Sequence, residues 1–381
     1  MATIVLPTGT SYVGSVAAQL AGFAAAFRAL GHRVLTPDSR AADYGRQVAQ
    51  AAAGGDVAFV LCHSGIGFDL TPGPANLYRR LELPVVAIYV DPALLYWDQI
   101  ALDDVDRLVT LISADDVAWC RRQLPGRRFL LLPHAAEPAD DPLPWRERDL
   151  DIVLAASASG TPDELRAAWR DFGPAVGARL EAMREAQAAE PERHLAELVE
   201  AIGRDLGLDL SAPLAAHPYV ATLDRYLRAS LRWQAAEALL DRPLTVIGDG
   251  WGPLAARGGR ARFLGRLDLA EAQALIGRAK LSLNPTTGYH GSHERVFHAL
   301  AAGTVPLTAG GTFWRNLSVP RYDQRAGPAV QVAALLADAG GLRTRAEEGR
   351  AMLAHRHDYR ARAQNLLDAL FSPPEPQRKI S

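Results

Sequence analysis

The stretch Leu281-Ser282-Leu283-Asn284-Pro285-Thr286-Thr287-Gly288-Tyr289-His290-Gly291-Ser292-His293-Glu294-Arg295-Val296-Phe297-His298-Ala299-Leu300-Ala301-Ala302-Gly303-Thr304-Val305-Pro306-Leu307-Thr308 decides the fold. It reads as a strand from Lys280 to Asn284, a polar loop, a helix from His293 to Ala302 and a strand from Val305 to Thr308. Val296, Phe297 and Leu300 have helical spacing, and Gly303 stops the helix. Strand, helix and strand at this spacing make a parallel βαβ unit. The loop is a dense polar cluster that meets a helix N-terminus, where free N–H groups and the positive dipole end favour phosphate. Ser292 or His293 is placed to cap the helix, and Arg295 in its first turn opposes the dipole unless an anion is bound. The competing reading is a polar surface loop with an ordinary cap.

The same pattern extends outward. Val246-Ile247-Gly248-Asp249-Gly250-Trp251 is a strand entering a Gly-x-Gly turn, where Gly248 and Gly250 let backbone approach a ligand at the carboxyl end of a strand. Many α/β turns share this form for structural reasons alone. Phe263-Leu264-Gly265 repeats the strand-then-glycine logic. With Asp151 to Ala155, and helices at Leu231 to Leu240 and Leu269 to Arg278, these complete one α/β series. Upstream lies another, with strands at Thr3 to Leu6, Arg33 to Leu35, Val57 to Leu61, Leu83 to Val90, Leu108 to Ile112 and Phe129 to Leu132. Helices are expected there at Ser15 to Leu30, Pro74 to Arg80 and Asp115 to Gln123. Continuously apolar strands are those of parallel sheets buried on both faces.

Pro133, Pro138, Pro142 and Pro144 mark a linker between the two series. The expected division is 1–138, 139–342 and a pair of C-terminal helices in 343–381 that pack back toward the first domain, fraying from Ser372. Ala156 to Arg242 carries no strand signal; it is expected to be a helical insertion packed on the second domain, broken at Pro174, Pro191, Pro213 and Pro218. The expected fold class is α/β: two Rossmann-like doubly wound domains, with a helical insertion in the second; the resemblance described below implies that they face each other across a cleft.

Composition narrows the function. The chain has 381 residues, 49% hydrophobic and 22% charged, as globular proteins have. Lys and Arg number 41 against 43 Asp and Glu, so the basic excess of a nucleic-acid polymer binder is missing. Cys62 and Cys120 stand in unrelated contexts, which argues for a reducing compartment and against a structural metal site. Met1 to Phe27 carries no charge, but it lacks the basic start of a signal peptide, and Pro7-Thr8-Gly9-Thr10-Ser11 interrupts its apolar run. No stretch reaches the ~20 apolar residues of a membrane span. The expected location is the cytoplasm.

Asn284-Pro285, Glu294-Arg295-Val296-Phe297-His298-Ala299-Leu300-Ala301-Ala302-Gly303 and Val305-Pro306-Leu307-Thr308 resemble the C-terminal domain of GT-B glycosyltransferases. The nearest type is the CgeB-like, "glycosyl transferases group 1" class. The resemblance covers roughly residues 228–320 and extends over 344–371; in the first domain, Asp91-Pro92 and Leu132 to Pro138 resemble that class's Asp-Pro and pre-hinge segments. It implies a nucleoside diphosphate-sugar donor, UDP-, GDP- or dTDP-linked, lying between the domains. The implied donor site comprises Gly248, Gly250, Trp251, Gly265, Asn284, Tyr289, His290, His293, Glu294, Arg295, His298 and Thr308. Where the class has a Glu that holds the donor ribose, this chain has His298; Glu294, one helical turn away, is placed to share that role. GT-B enzymes neutralise the leaving diphosphate with helix N-termini and basic side chains, so no metal or other cofactor is expected. The chain has no Asp-x-Asp motif at a strand end, and Arg295, with Arg228, Arg232 or Arg266, is the available cation.

The first domain is expected to bring an acceptor whose identity the residues do not specify. Its polar strand ends are Thr8-Gly9-Thr10-Ser11, His63-Ser64 and Asp91. His63 or Asp91 is the candidate general base, against the plainer readings of a satisfied structural histidine and a turn-forming aspartate. Glu294 and Arg295 complete the catalytic set. The rival functions are a nucleotide-sugar 2-epimerase or hydrolase of the same fold and a non-enzymatic two-lobed small-molecule-binding protein.

Overall fold

A computed structural model describes residues 1–10, 14–68, 76–311 and 313–371, and two parallel sheets organise them. The first sheet contains β1 (Thr3–Val5), β2 (Arg33–Leu35), β3 (Val57–His63), β4 (Val85–Tyr89), β5 (Arg107–Leu111) and β6 (Arg128–Leu131), in the order β2-β1-β3-β4-β5-β6. The second contains β7 (Leu150–Ala155), β8 (Leu244–Ile247), β9 (Arg262–Phe263), β10 (Ala279–Asn284), β11 (Val305–Ala309) and β12 (Arg321–Tyr322), in the order β12-β11-β10-β7-β8-β9. All these strands pair in parallel. Each sheet reverses its winding once, between β1 and β3 and between β7 and β10. Such reversals open a crevice at the carboxyl ends of the strands, where ligands of open α/β sheets lie.

The central strands are buried throughout, as at Val85, Val86, Ala87, Ile88 and Tyr89 of β4, which explains their unbroken apolar sequence. A helix at Tyr44–Ala53 and the strand β12 escape the sequence reading. That helix buries only Tyr44 and Val48, too narrow a stripe to stand out from its alanines.

The helical insertion lies between β7 and β8 and comprises helices Pro162–Ala167, Pro174–Ala189, Leu195–Asp205 and Pro213–Glu237. Three of these begin with a proline, whose missing N–H is harmless at a first helical position. Pro218 does not break the chain as expected; it sits near the start of the 25-residue helix Pro213–Glu237, which absorbs the separate helix expected at Leu231 to Leu240. The expected packing is also corrected. Trp169, Leu180, Met183, Leu195, Val199 and Leu223 join one core with Tyr89, Trp97, Ile100, Val117, Trp119 and Phe129 of the first domain. The insertion emerges from the second domain but buries its apolar face on the first. Its last helix spans both, because Ala216, Val220 and Leu223 belong to that core while Trp233 and Ala236 belong to the second domain's.

Two further helices tie the ends of the chain down. Ala339–Arg356 packs on the second domain, and Tyr359–Phe371 crosses back to Ser15–Ala29 of the first. Gly22 makes that crossing possible, since a Cβ there would overlap the Tyr359 ring. Arg362 donates from Nε to the Pro133 carbonyl at 2.7 Å and from Nη2 to the His134 carbonyl at 3.1 Å, fastening the linker.

One buried ion pair anchors the insertion. His194 Nε2 lies 3.0 Å from Asp116 Oδ1, with both side chains buried, and Asp116 also accepts from the Ala93 N–H. Burial opposes the charged imidazole, but the Asp116 carboxylate outweighs it and raises His194 above its ordinary value. The pair therefore contributes fully below about pH 6 and loses its contribution as pH rises through the raised value. His194→Ala leaves a buried carboxylate unpaired and is expected to lower unfolding stability by about 3 kcal/mol at pH 6, with a smaller loss at alkaline pH. Urea melts at the two pH values measure this; equal losses at both would refute the ion-pair account.

Candidate active site

The carboxyl ends of the two sheets face each other, and the loop after β10 fills the space between them. This loop is held from three sides. Gly291 passes so close to the first domain that a Cβ would overlap the Ile112 carbonyl, which also accepts from the Ser292 N–H at 3.1 Å. The Ser292 hydroxyl accepts from the His134 N–H at 2.9 Å and bonds the same residue's Nδ1 at 2.9 Å. Gly288 abuts the Pro191 carbonyl of the insertion. The helix Glu294–Ala301 then begins, capped by His293, whose Nδ1 accepts from the Arg295 N–H at 3.3 Å. Of the two expected caps, His293 serves; Ser292 is spent across the domain interface.

A chain of hydrogen bonds crosses the cleft at this helix end. Glu294 Oε2 accepts from Gln19 Nε2 at 3.2 Å, Gln19 Oε1 lies 3.0 Å from His63 Nε2, and His63 Nδ1 lies 3.0 Å from Ser64 Oγ. Because the Gln19 amide nitrogen donates to Glu294, its oxygen is left to accept from Nε2–H, and Nδ1 then accepts from Ser64. Burial holds His63 down at about 4, so it stays neutral. Ser64 adopts φ 49°, a left-handed conformation unusual for a non-glycine residue.

A second network centres on Arg228 of the long insertion helix. Its Nη1 lies 2.7 Å from Asp91 Oδ1, and its Nε lies 2.7 Å from Asp224 Oδ2. Asp224 Oδ1 accepts from the Tyr289 hydroxyl at 2.8 Å, and Tyr96 donates to Asp91 Oδ2 at 3.3 Å. Despite burial, the neighbouring His290 and Arg228 hold the Asp91 carboxyl far below the usual carboxylate range. His290 Nε2 stands 3.9 Å from Asp91, and both ring nitrogens of this buried imidazole lack a hydrogen-bond partner.

Two more guanidinium groups share the crevice. Arg232 donates from Nη1 to the Ser157 carbonyl at 3.1 Å. Arg295 donates from Nη1 to Asn284 Oδ1 at 3.3 Å, and Asn284 in turn donates from Nδ2 to Thr308 Oγ1 at 2.9 Å. Burial, reinforced by the like charge of Arg232, pushes Arg295 down to about 9; burial and Arg228 push Arg232 down to about 10. No ion pair joins either to a carboxylate among the described residues. Two guanidinium charges without a direct carboxylate contact are thus held together beside the positive end of a helix, an arrangement that favours an anion.

The structure gathers His63, Ser64, Asp91, His290, His293, Glu294 and Arg295 around this crevice, with Asn284 and Thr308 orienting Arg295. His298 follows one turn along the same helix, its imidazole lowered by burial with Glu294 and Arg295 acting in opposite directions. Several expected residues do other work. Gly248 and Gly250 are required because a Cβ at either would overlap the backbone at Ala156–Ser157 or Ala158, so the protein's own chain occupies the space assigned to a ligand. Trp251 is buried, stacks on Trp233 at 6.0 Å and donates from its indole N–H to the Ala156 carbonyl, leaving no face for a nucleotide. Tyr289 is likewise committed to Asp224 within the insertion's core. Gly265 has open space where a Cβ would lie, but its carbonyl is bonded by the Gly248 N–H. Arg266 is paired with Asp249. Neither base candidate is free: Asp91 is the counter-ion of Arg228, and both His63 nitrogens are engaged. Thr8 and Gly9 pack against the Pro37–Ser39 turn and Ile66, Thr10 is exposed, and Ser11 lies outside the described residues.

Gln19, Asp224 and His134 were not singled out from the sequence. Gln19 left one trace, as the only polar side chain between Ser15 and Arg28. Among the described residues no group of three or more His, Cys, Asp or Glu is placed to hold a metal ion, and no helix is long and apolar enough to cross a membrane.

Residues 228–368 match the family model described as glycosyl transferase-like. No curated protein matches the chain in sequence. Among solved structures, an α-glucosyltransferase in complex with UDP superimposes with a TM-score of 0.56 at 10% identity, covering 97% of this chain and 100% of that one. Sucrose-phosphate synthase from Thermosynechococcus elongatus gives 0.52 at 13% identity, covering 97% and 98%. HepE of Anabaena, in complex with UDP and glucose, gives 0.52 at 11% identity, covering 98% and 100%. At such identities the likeness is one of fold. The chain therefore has the two-domain GT-B fold, and its residues 228–368 are similar to the glycosyl transferase-like family.

Proposed function

We propose that the chain transfers a glycosyl group from a UDP-, GDP- or dTDP-sugar to an acceptor without a metal ion. The observation that carries the reading is the buried pair Arg232 and Arg295, neither in direct contact with a carboxylate, beside the N-terminus of helix Glu294–Ala301. A diphosphate supplies the missing negative charge, and the same groups stabilise the charge that grows on it as the glycosidic bond breaks. Both solved UDP complexes cited above share this fold, which supports a nucleotide as the ligand.

The other residues take roles from their partners. Asp91, ion-paired, positions Arg228 rather than deprotonating an acceptor. His63 and Gln19 position Glu294, which together with His298 meets the donor's hydroxyl groups. His290, 3.9 Å from Asp91, is the imidazole whose two ring nitrogens have no hydrogen-bond partner, so it is the group assigned to give or take the proton during transfer.

Replacing Arg232 or Arg295 by Ala removes one charged hydrogen-bond donor, worth about 1.5–3 kcal/mol, so UDP is expected to bind roughly 10- to 100-fold more weakly. Uridine affinity should be unchanged and the melting temperature not lowered, because each change relieves a buried like-charge contact. Calorimetry checks the first and thermal melts the second; parallel losses for uridine and UDP would contradict a phosphate site.

His290→Ala is expected to lower kcat by about 100-fold or more, with the donor KM within a few-fold. Turnover should survive EDTA, measured as release of nucleoside diphosphate in the presence of an acceptor extract. Activity abolished by EDTA and restored by magnesium would overturn the metal-free part of the proposal.

A further inference from the structure

Two passages of the chain between the domains run side by side, at 133–138 and at 356–359, and one guanidinium joins them. Arg362, only 4% exposed, donates from Nε to the Pro133 carbonyl at 2.7 Å and from Nη2 to the His134 carbonyl at 3.1 Å. On the other passage it donates from Nη1 to the Arg356 carbonyl at 3.0 Å and from Nη2 to His357 Nδ1. The passages also bond each other directly, the Ala136 N–H to the His357 carbonyl at 3.3 Å and the Tyr359 N–H to Glu137 Oε1 at 3.1 Å. Burial lowers Arg362 only to about 10, so it keeps its charge at neutral pH.

The peptide unit between Pro133 and His134 carries this contact onward. Its carbonyl accepts from Arg362, and its N–H donates to Ser292 Oγ at 2.9 Å. A charged donor on a peptide oxygen polarises the unit and makes its N–H a stronger donor, the more so where water is excluded. Water is excluded here, since Ser292 and His134 are both buried. The Ser292 hydroxyl, having accepted from the backbone, keeps its own proton for His134 Nδ1, 2.9 Å away. Burial, with His290 and His63 nearby, holds that imidazole down at about 3, so it is neutral and able to accept.

Ser292 is where this chain of bonds meets the candidate active-site loop. It lies between Gly291, pressed against the Ile112 carbonyl, and His293, which caps helix Glu294–Ala301. Two residues before it stands His290, 3.9 Å from Asp91. A shift of Ser292 therefore moves together the imidazole assigned to proton transfer and the helix end beside Arg295. The hydrogen bonds of Arg362 end on residues 133, 134, 356 and 357, so its influence on the loop passes through that one peptide.

We infer that Arg362 is a positioning residue for glycosyl transfer, acting from the domain crossing through the Pro133–His134 peptide and Ser292 to seat the loop that carries His290. The consequence for transfer rests on the glycosyl-transfer reading; the linkage rests on the hydrogen bonds. It gives the C-terminal helix Tyr359–Phe371 a part in ordering the site, beyond tying down the end of the chain.

The test is a double-mutant cycle on Arg362→Met, which removes the charge, and Ser292→Ala, which removes the hydroxyl. Arg362→Lys is the conservative variant, keeping the charge but not the fork. Amide hydrogen exchange reads the linkage, calorimetry reads the binding of UDP, GDP and dTDP, and thermal melts confirm folding. Exchange of the His134 amide and of residues 287–293 is expected to rise about 10-fold or more in Arg362→Met and in Ser292→Ala, and less in Arg362→Lys. The double variant should exceed the larger single effect by less than about 2-fold, because both changes break one chain. Affinity for the nucleotide that binds wild-type protein should fall about 10-fold in the same variants. An arginine that only held the linker together would loosen it independently of Ser292. Multiplicative effects in the double variant, or an unchanged loop in Arg362→Met, therefore overturn the linkage. Should Arg362→Met not fold, the lysine variant and its double with Ser292→Ala decide the same question. A loop that loosens as expected while nucleotide affinity holds refutes the positioning role and leaves the transferase reading standing. If no nucleotide binds wild-type protein, the transferase reading fails and the positioning role with it, whereas exchange still decides the linkage.

Discussion

Arg228 is held between two carboxylates drawn from different parts of the chain, Asp91 after β4 and Asp224 one turn earlier on its own helix. A buried guanidinium is tolerable only with such compensation. The pairing docks the insertion on the first domain, aligns Tyr289 through Asp224, and places Asp91 beside His290. It also explains why two neighbouring arginines can remain unpaired. Arg228 takes Asp91 and Asp224 as its direct partners, and Arg232 and Arg295 are left without a direct carboxylate contact where the two sheets meet.

The loop between β10 and helix Glu294–Ala301 is shaped by close approach more than by flexibility. Gly288 and Gly291 let it press against the insertion on one side and the first domain on the other. Its polar residues consequently divide by where they point. Ser292 joins the domains, Tyr289 joins the insertion, and His290, His293 and the backbone at the helix start face the crevice. One short segment thus serves three neighbours, which accounts for its density of polar side chains.

Both sheets were legible from the residues, because unbroken apolar strands and glycine-stopped helices are local signals, and the polar loop before Glu294 already marked the candidate site. Arg295, Glu294 and the cap at His293 followed from one helix end and its dipole. The errors came from contacts distant in sequence. The Gly-x-Gly turn at Gly248 reads identically whether a ligand or the strand-end backbone at Ala156 presses against it. Trp251 looked available because nothing local reveals that Trp233 covers it. Asp91 looked like a base until Arg228, from an insertion assigned to the other domain, arrived beside it. The insertion's docking was misjudged for a related reason: periodicity tells which face of Leu195–Asp205 is apolar but not which domain receives it.

The 25-residue helix Pro213–Glu237 is a rigid rod of roughly 37 Å, seated at one end in the first domain's core and at the other in the second's. Arg228 and Arg232 sit within it, between the two seats. A helix transmits motion along its whole length, so it acts as a lever. Any parting of the domains that unseats one end must swing both arginines away from Arg295 or from Asp91. Opening the crevice and dispersing its positive charge are then a single mechanical event, and an anion would be gripped and released by the same stroke.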